Sequence, residues 1–152
     1  MNYWITTQRP YPESFAQWAA NCGVYLQEGR EHVAASMRPG DLAFRYESKT
    51  GPYGNDGRMG IVAIMEVTDR PKDMGNPAPV GYANGSERWW RYKANATCKD
   101  ADGFVSRADL NTILGYVADN KLRGFGDDHS GLKRIDKSTY DKIYAAFKNS
   151  DV

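Results

Sequence analysis

The 152 residues fit one domain, and with 41% apolar side chains they suffice for a single buried core. A net charge of +1 excludes a chain that grips nucleic acid by bulk electrostatics, while leaving room for a local basic face. No apolar run approaches the about 18 residues of a membrane-spanning helix, no basic-then-apolar leader is visible, and Cys22 and Cys98 lie far apart without a C-x-x-C partner, so a reduced, cytoplasmic protein without membrane partner, metal or cofactor is expected.

Residues 2–7, rich in β-branched and aromatic side chains, read as a first strand. Pro10 and Pro12 break it, and Phe15, Trp18 and Ala19 then fall on one face of a short helix ending near Asn21. Residues 21–29 form a loop or short extended piece. A second helix over 30–37 places Val33, Ala34 and Met37 on one side. Pro39, Gly40 and Asp41 make a tight turn into a strand over 42–46, where Leu42, Phe44 and Tyr46 alternate with Ala43 and Arg45. Turn chemistry fills 50–57, and a buried, almost continuously apolar strand occupies 59–67. Residues 68–87, with Pro71, Pro77 and Pro79, read as a long surface loop. A strand over 88–98 opens on Trp89 and Trp90. Ser106 and Asp109 form a capping box variant for a helix over 108–116, and 121–131 read as a basic, Gly-rich loop. A last strand, Leu132–Ile135, precedes a helix capped at Ser138 whose inner face carries Tyr140, Ile143, Tyr144 and Phe147. The sum predicts one α+β domain over 1–152, a small, partly open β-barrel of five to six strands surrounded by short helices.

Catalytic signatures are absent from this pattern. His32 and His129 sit in no recognisable nucleophile constellation, and no phosphate-binding loop or metal-ligand spacing occurs. Asp41 with Glu47 and Lys49 resembles a fragment of a metal-dependent nuclease. The two carboxylates fall at opposite ends of one strand, roughly 20 Å apart at about 3.3 Å per residue, too far to share an ion. The informative excess is aromatic: four Trp and ten Tyr, side chains that are costly to expose and that line ligand pockets.

The ordered set Trp4-Ile-Thr-Thr, Gly23-Val-Tyr-Leu-Gln-Glu-Gly-Arg30, Met37-Arg-Pro-Gly-Asp41, Phe44-Arg-Tyr-Glu-Ser48, residues 60–67, Trp89-Trp-Arg-Tyr92 and residues 132–140 resembles the EVE domain. That family belongs to the PUA-like superfamily, with the YTH and ASCH domains. The resemblance covers most of the chain. It departs from common members at Asn21-Cys-Gly-Val-Tyr25, where they carry a Trp-Asp-Gly-Val-Arg-Asn-type stretch.

What the resemblance implies is a non-catalytic module that recognises a modified base flipped into an aromatic pocket, with 5-methyl- or 5-hydroxymethylcytosine in DNA foremost. The alternatives it leaves are a modified-base binder for RNA or tRNA and a small ASCH-like enzyme acting on a modified nucleoside. A fused or associated nuclease of a modification-dependent restriction system is the implied partner. The base pocket carried over comprises Thr6, Thr7, Trp18, Gly23, Val24, Tyr25, Gln27, Tyr46, Glu47, Ser48 and Trp89. Neighbours on a strand face opposite ways, so only one of Trp89 and Trp90 turns inward. Arg30, Arg45 and Arg91 are the candidate phosphate contacts, set against an ordinary solvated surface.

Overall fold

A computed structural model describes residues 1–8, 23–26, 31–47, 59–81, 87–115 and 132–150. In chain order its elements are β1 (Tyr3–Gln8), β2 (Gly23–Leu26), α1 (Glu31–Ser36), β3 (Leu42–Glu47), β4 (Gly60–Val67), β5 (Lys72–Gly81), β6 (Glu87–Asp100), β7 (Val105–Ser106), α2 (Arg107–Leu114), β8 (Leu132–Ile135) and α3 (Lys137–Lys148). The strands form one mixed sheet in the order β2-β6-β4-β3-β1-β8, with β5 added to β6 and β7 to β4. Curled on itself, this sheet is the expected small, partly open α+β barrel with short helices against it. It holds eight strands among the described residues, against the five to six expected.

Two layers of core explain the curl. Side chains alternate along a strand, so a central strand presents one set of residues to each face. Trp4, Val24, Leu26, Met37, Ala43, Val62, Ala63, Met65, Tyr92 and Ala94 cluster on the inward face. Ile5, Phe44, Tyr46, Ile61, Ile64, Val105 and Ile135 cluster on the outward face, where Leu110 of α2 and Ile143 and Phe147 of α3 cover them. Each large aliphatic or aromatic side chain so buried contributes about 1.5–3 kcal/mol of transfer free energy. Trp4 of β1 and Val24 of β2 belong to one cluster although their strands lie far apart in the sheet order, which is the mark of the curl.

The turn before β3 follows its sequence. Asp41 N–H donates to Arg38 O at 3.1 Å, closing a four-residue turn with Pro39 second and Gly40 third. Gly40 has φ +92°, the left-handed conformation that the third position of a type II turn requires. Gly40 N–H then donates to Val67 O, and Val67 N–H to Asp41 O, both at 2.8 Å, so the turn is bonded to the end of β4.

Several expectations change. Residues 72–81 are a strand rather than loop, because an edge strand tolerates Pro77 and Pro79 and β5 pairs only with β6. The register breaks between Asp73 and Ala78, beside the first of those prolines. Of the two alternatives for 21–29, residues 23–26 take the extended one, a strand paired with β6. The last helix is capped by Asp136, not Ser138: the Asp136 carboxylate accepts the Thr139 N–H at 2.8 Å. The Ser106 cap holds, its hydroxyl accepting the Asp109 N–H at 3.1 Å, and α2 ends at Gly115 with φ +79°. The predicted helix around Phe15, the turn at 50–57 and the loop at 121–131 lie outside the described residues. No helix among the described residues is long and apolar enough to cross a membrane.

Candidate functional site

Among the described residues the inward face carries buried polar side chains at two levels, Asp41 at one end and Thr6 with Arg45 toward the other. β1 and β3 run parallel, with Trp4 opposite Ala43 and Thr6 opposite Arg45. Ala43 and Trp4 belong to the inward cluster while Phe44 and Ile5 belong to the outward one, so alternation turns Thr6 and Arg45 inward. Both are buried, Thr6 3% and Arg45 2% exposed. On the other side of Arg45, β4 places Ala63 in register, and a methyl group there leaves room for the long guanidinium side chain. Ala43, Ala94 and Ala96 line the same face. The level lies two residues inside the carboxyl ends of both strands.

Arg45 is engaged within the fold. Its positive charge reaches Cys98 of β6, where it opposes the upward push that burial gives the thiol. A buried guanidinium survives only where partners offset its desolvation. Arg45 and Thr6 therefore form a buried polar pair held by three adjacent strands.

The other end of β1 and β3 is tied by Asp41, which is 1% exposed. Its carboxylate accepts the Asn2 N–H at 2.9 Å, the Trp4 indole N–H at 3.0 Å and the Arg38 N–H at 3.0 Å. Three donors converging on one carboxylate fix the start of β3 against the start of β1. Among the described residues no cluster of His, Cys, Asp and Glu is suited to a metal ion.

Of the residues named from the sequence, Thr6, Gly23 and Val24 are buried, and Val24 shares the inward cluster. Thr7 pairs with Tyr46 and Tyr25 with Lys93 along the backbone. Glu47, half-buried, closes β3 opposite Gly60. Tyr46 is 7% exposed and belongs to the outward cluster, where burial pushes its phenol up and Arg107 pulls partly the other way. The structure therefore separates Tyr46 from Thr6 and hands the inward direction to its neighbour. Arg45, expected on the surface as a phosphate contact, is corrected to an interior residue. Trp89 and Arg91 lie in β6, with the Trp89 backbone paired to Pro79 of β5 alone. Trp18, Gln27, Ser48 and Arg30 lie outside the described residues. The sequence carries no local signal for the Thr6–Arg45 pair; it follows from the central place of β3, since a strand paired on both sides and covered on both faces buries both of its alternating sets.

A second feature lies on the outward side. The Phe44 and Tyr140 rings stack with centroids 4.9 Å apart, and Tyr140 and Tyr144 with centroids 6.0 Å apart, at interplanar angles of 24° and 21°. Tyr3 leans on Tyr140 at 4.6 Å. Tyr3 also lines an open groove of about 550 Å³ beside Arg134 and Lys137.

The fold is similar to that of three bacterial proteins solved as structural genomics targets. One, from Rhodopseudomonas palustris, was determined by NMR and superposes with a TM-score of 0.61 at 20% identity, over 97% of this chain and 94% of its own. A crystal structure from Agrobacterium tumefaciens gives 0.54 at 20% identity, over 98% and 96%. Another from Pseudomonas putida gives 0.54 at 15% identity, over 95% and 98%. At these identities the likeness is one of fold. No protein-family model and no curated protein matches the chain.

Proposed function

We propose that this protein is a nucleic-acid-binding module that holds a modified base, 5-methyl- or 5-hydroxymethylcytosine in DNA, inside the barrel beside Thr6 and Arg45. The observation that carries the reading is the inward polar pair beside an alanine-lined stretch, two residues from the strand ends. The ordered EVE-like motifs support it. The Watson–Crick edge of a flipped cytosine offers two acceptors, O2 and N3, and one amino donor. A guanidinium carries five N–H donors, so Arg45 can serve its contacts within the fold and still offer donors to two neighbouring acceptors, and a threonine hydroxyl accepts from the amino group. The alanine lining suits a small apolar substituent on the opposite edge of the ring. A methyl group so enclosed adds about 1–3 kcal/mol of discrimination. The protein itself performs no chemistry in this reading, and a nuclease partner supplies cleavage.

The test is a titration of oligonucleotides that differ in a single cytosine, plain, methylated or hydroxymethylated, in DNA and in RNA. A preference of roughly tenfold for a modified DNA site is expected. Arg45→Lys keeps the charge and removes the fork, so it should weaken binding to plain and modified sites alike while the circular dichroism spectrum stays native. Equal affinity for plain and modified DNA sinks the proposal. Tighter binding to modified RNA moves it to RNA, and a changed nucleoside after incubation replaces it with an enzyme.

A further inference from the structure

The outward side carries a feature that base recognition in the barrel does not use. Phe44, Tyr140 and Tyr144 form a row of nearly parallel rings rising from core to surface: Phe44 is 0% exposed and Tyr144 is 42% exposed. Tyr144 is thereby the outermost plane of a stack anchored in the core. A planar ring laid on it continues that stack, and little side-chain freedom remains to be lost, because Tyr140 already fixes the platform.

Cations flank the row. Lys137, Tyr140, Tyr144 and Lys148 follow one another at helical spacings of three, four and four residues, so they form a stripe along α3. At 1.5 Å per residue the two lysines stand about 16 Å apart, with the tyrosines between them. Lys137 Nζ lies 3.1 Å from Asp141 and Lys148 Nζ 2.7 Å from Asp100, yet both are exposed and keep further N–H donors. Beside Lys137, the groove lined by Tyr3 and Arg134 continues the surface, where Arg134 donates to Asn2 Oδ1 at 2.6 Å.

Residues 132–150 hold five Lys and Arg against two Asp, and Asp100 and Asp102 stand beside Lys148, so the face keeps a small positive excess. Lys137, Lys148 and Arg134 are exposed and offer N–H donors to phosphates, and among polyanions the row of rings selects one that brings unpaired planar bases. A duplex buries its base faces in its own stack, and an acidic peptide brings charge without planes.

We propose that the face built by α3, β8 and Tyr3 binds a single-stranded stretch of nucleic acid a few nucleotides long, one base stacked on Tyr144 and the phosphates on Lys137, Lys148 and Arg134. Stacking of this kind is sequence-tolerant, because every base has a π-face. It needs no modified base, so it stands independently of recognition in the barrel.

The probe is a short, unmodified, fluorescein-labelled oligodeoxyadenosine strand, followed by anisotropy at low salt, with the same strand in duplex as comparison. The single strand should bind more tightly than the duplex. Tyr144→Ala should weaken binding roughly tenfold, and Tyr144→Phe, which keeps the ring, should restore it. Replacing Lys137 and Lys148 by Gln should flatten the salt dependence by about 0.7 in log–log slope per lost phosphate contact. Thermal melts confirm that each variant folds, which a half-exposed tyrosine and surface lysines permit. No binding of the plain strand, a duplex bound more tightly, or Tyr144→Ala binding like the parent each overturns the proposal. The barrel reading is judged instead by the modified-over-plain ratio, so either proposal can fail alone.

Discussion

Asp41 shows how much of this fold turns on one carboxylate. It is buried and surrounded by the N–H groups of Asn2, Trp4 and Arg38. Hydrogen bonds to a charged group contribute about 1.5–3 kcal/mol each where the group is withdrawn from water. Asparagine at this position keeps one acceptor and turns an amide donor toward the indole and the Arg38 N–H. Asp41→Asn should therefore lose about 2–4 kcal/mol of stability, read as a lower urea midpoint at unchanged slope. A midpoint within error of the parent would show that water replaces the lost partners. The position of this residue was legible, since Pro-Gly-Asp announces a turn; its partners were not. Asn2 and Trp4 reach it only because β1 pairs in parallel with β3, and no local pattern encodes a pairing over that separation. The same holds for Arg45. Its alternation with Phe44 was plain in the sequence, but whether the Ala43–Arg45 side faces water or a second core depends on β2 and β6 curling over it.

At the scale of the element, the best-read segments were those whose side chains repeat without competition. β4 reads as a continuous apolar run and is buried on both faces, and β8 was placed at its observed bounds. β5 is hidden in the sequence, because two prolines within ten residues look like loop until an edge position removes the need for their missing N–H groups. The α3 cap is ambiguous in the sequence because Asp136 and Ser138 both offer an oxygen, and the backbone, extended at Asp136 and helical from Lys137, decides between them. Gly60 belongs to this scale too. A Cβ there would collide with the Val105 carbonyl oxygen and lie 2.6 Å from the Phe104 ring, at the place where β7 pairs with β4. Gly60→Ala should cost about 1–3 kcal/mol and loosen β7 together with α2, which follows it directly. Hydrogen exchange at the Arg107 N–H, which donates to Met59 O at 3.0 Å, reports the loosening; unaltered protection would contradict it.

Across the whole molecule, surface ion pairs fasten distant elements together. Lys148 near the end of α3 holds Asp100 at the end of β6, and the lysine hydrogen bond, seconded by the Asp102 N–H, keeps the Asp100 carboxyl below its ordinary value. The Asp136 carboxyl is lowered likewise, first by the Thr139 N–H. A carboxyl whose folded value lies below its unfolded one stabilises the fold above the unfolded value, about 3.9. That stabilisation is lost as the pH falls through the lower, folded value. Urea midpoints should therefore hold level from neutral pH to about 5 and decline below about 4. Asp100→Asn should remove part of the decline while leaving the barrel intact, and an acid limb as steep as the parent's would refute this account. The effect is modest, because Lys148 is exposed, Asp100 is only partly buried, and salt screens the pair.

The place of β1 has a consequence for the growing chain on the ribosome. β1 is made before the two strands it lies between, β3 and β8, and the outward faces of Ile5 and Phe44 are covered by α3. Until residues beyond 132 emerge, a nascent sheet containing β1 and β3 shows one unpaired edge and one uncovered apolar face. Such a surface is what holding chaperones bind and what pairs wrongly with other chains. Completion of the sheet thus waits for β8 and α3 to emerge, and premature stops before β8 should yield chains that aggregate rather than shortened barrels.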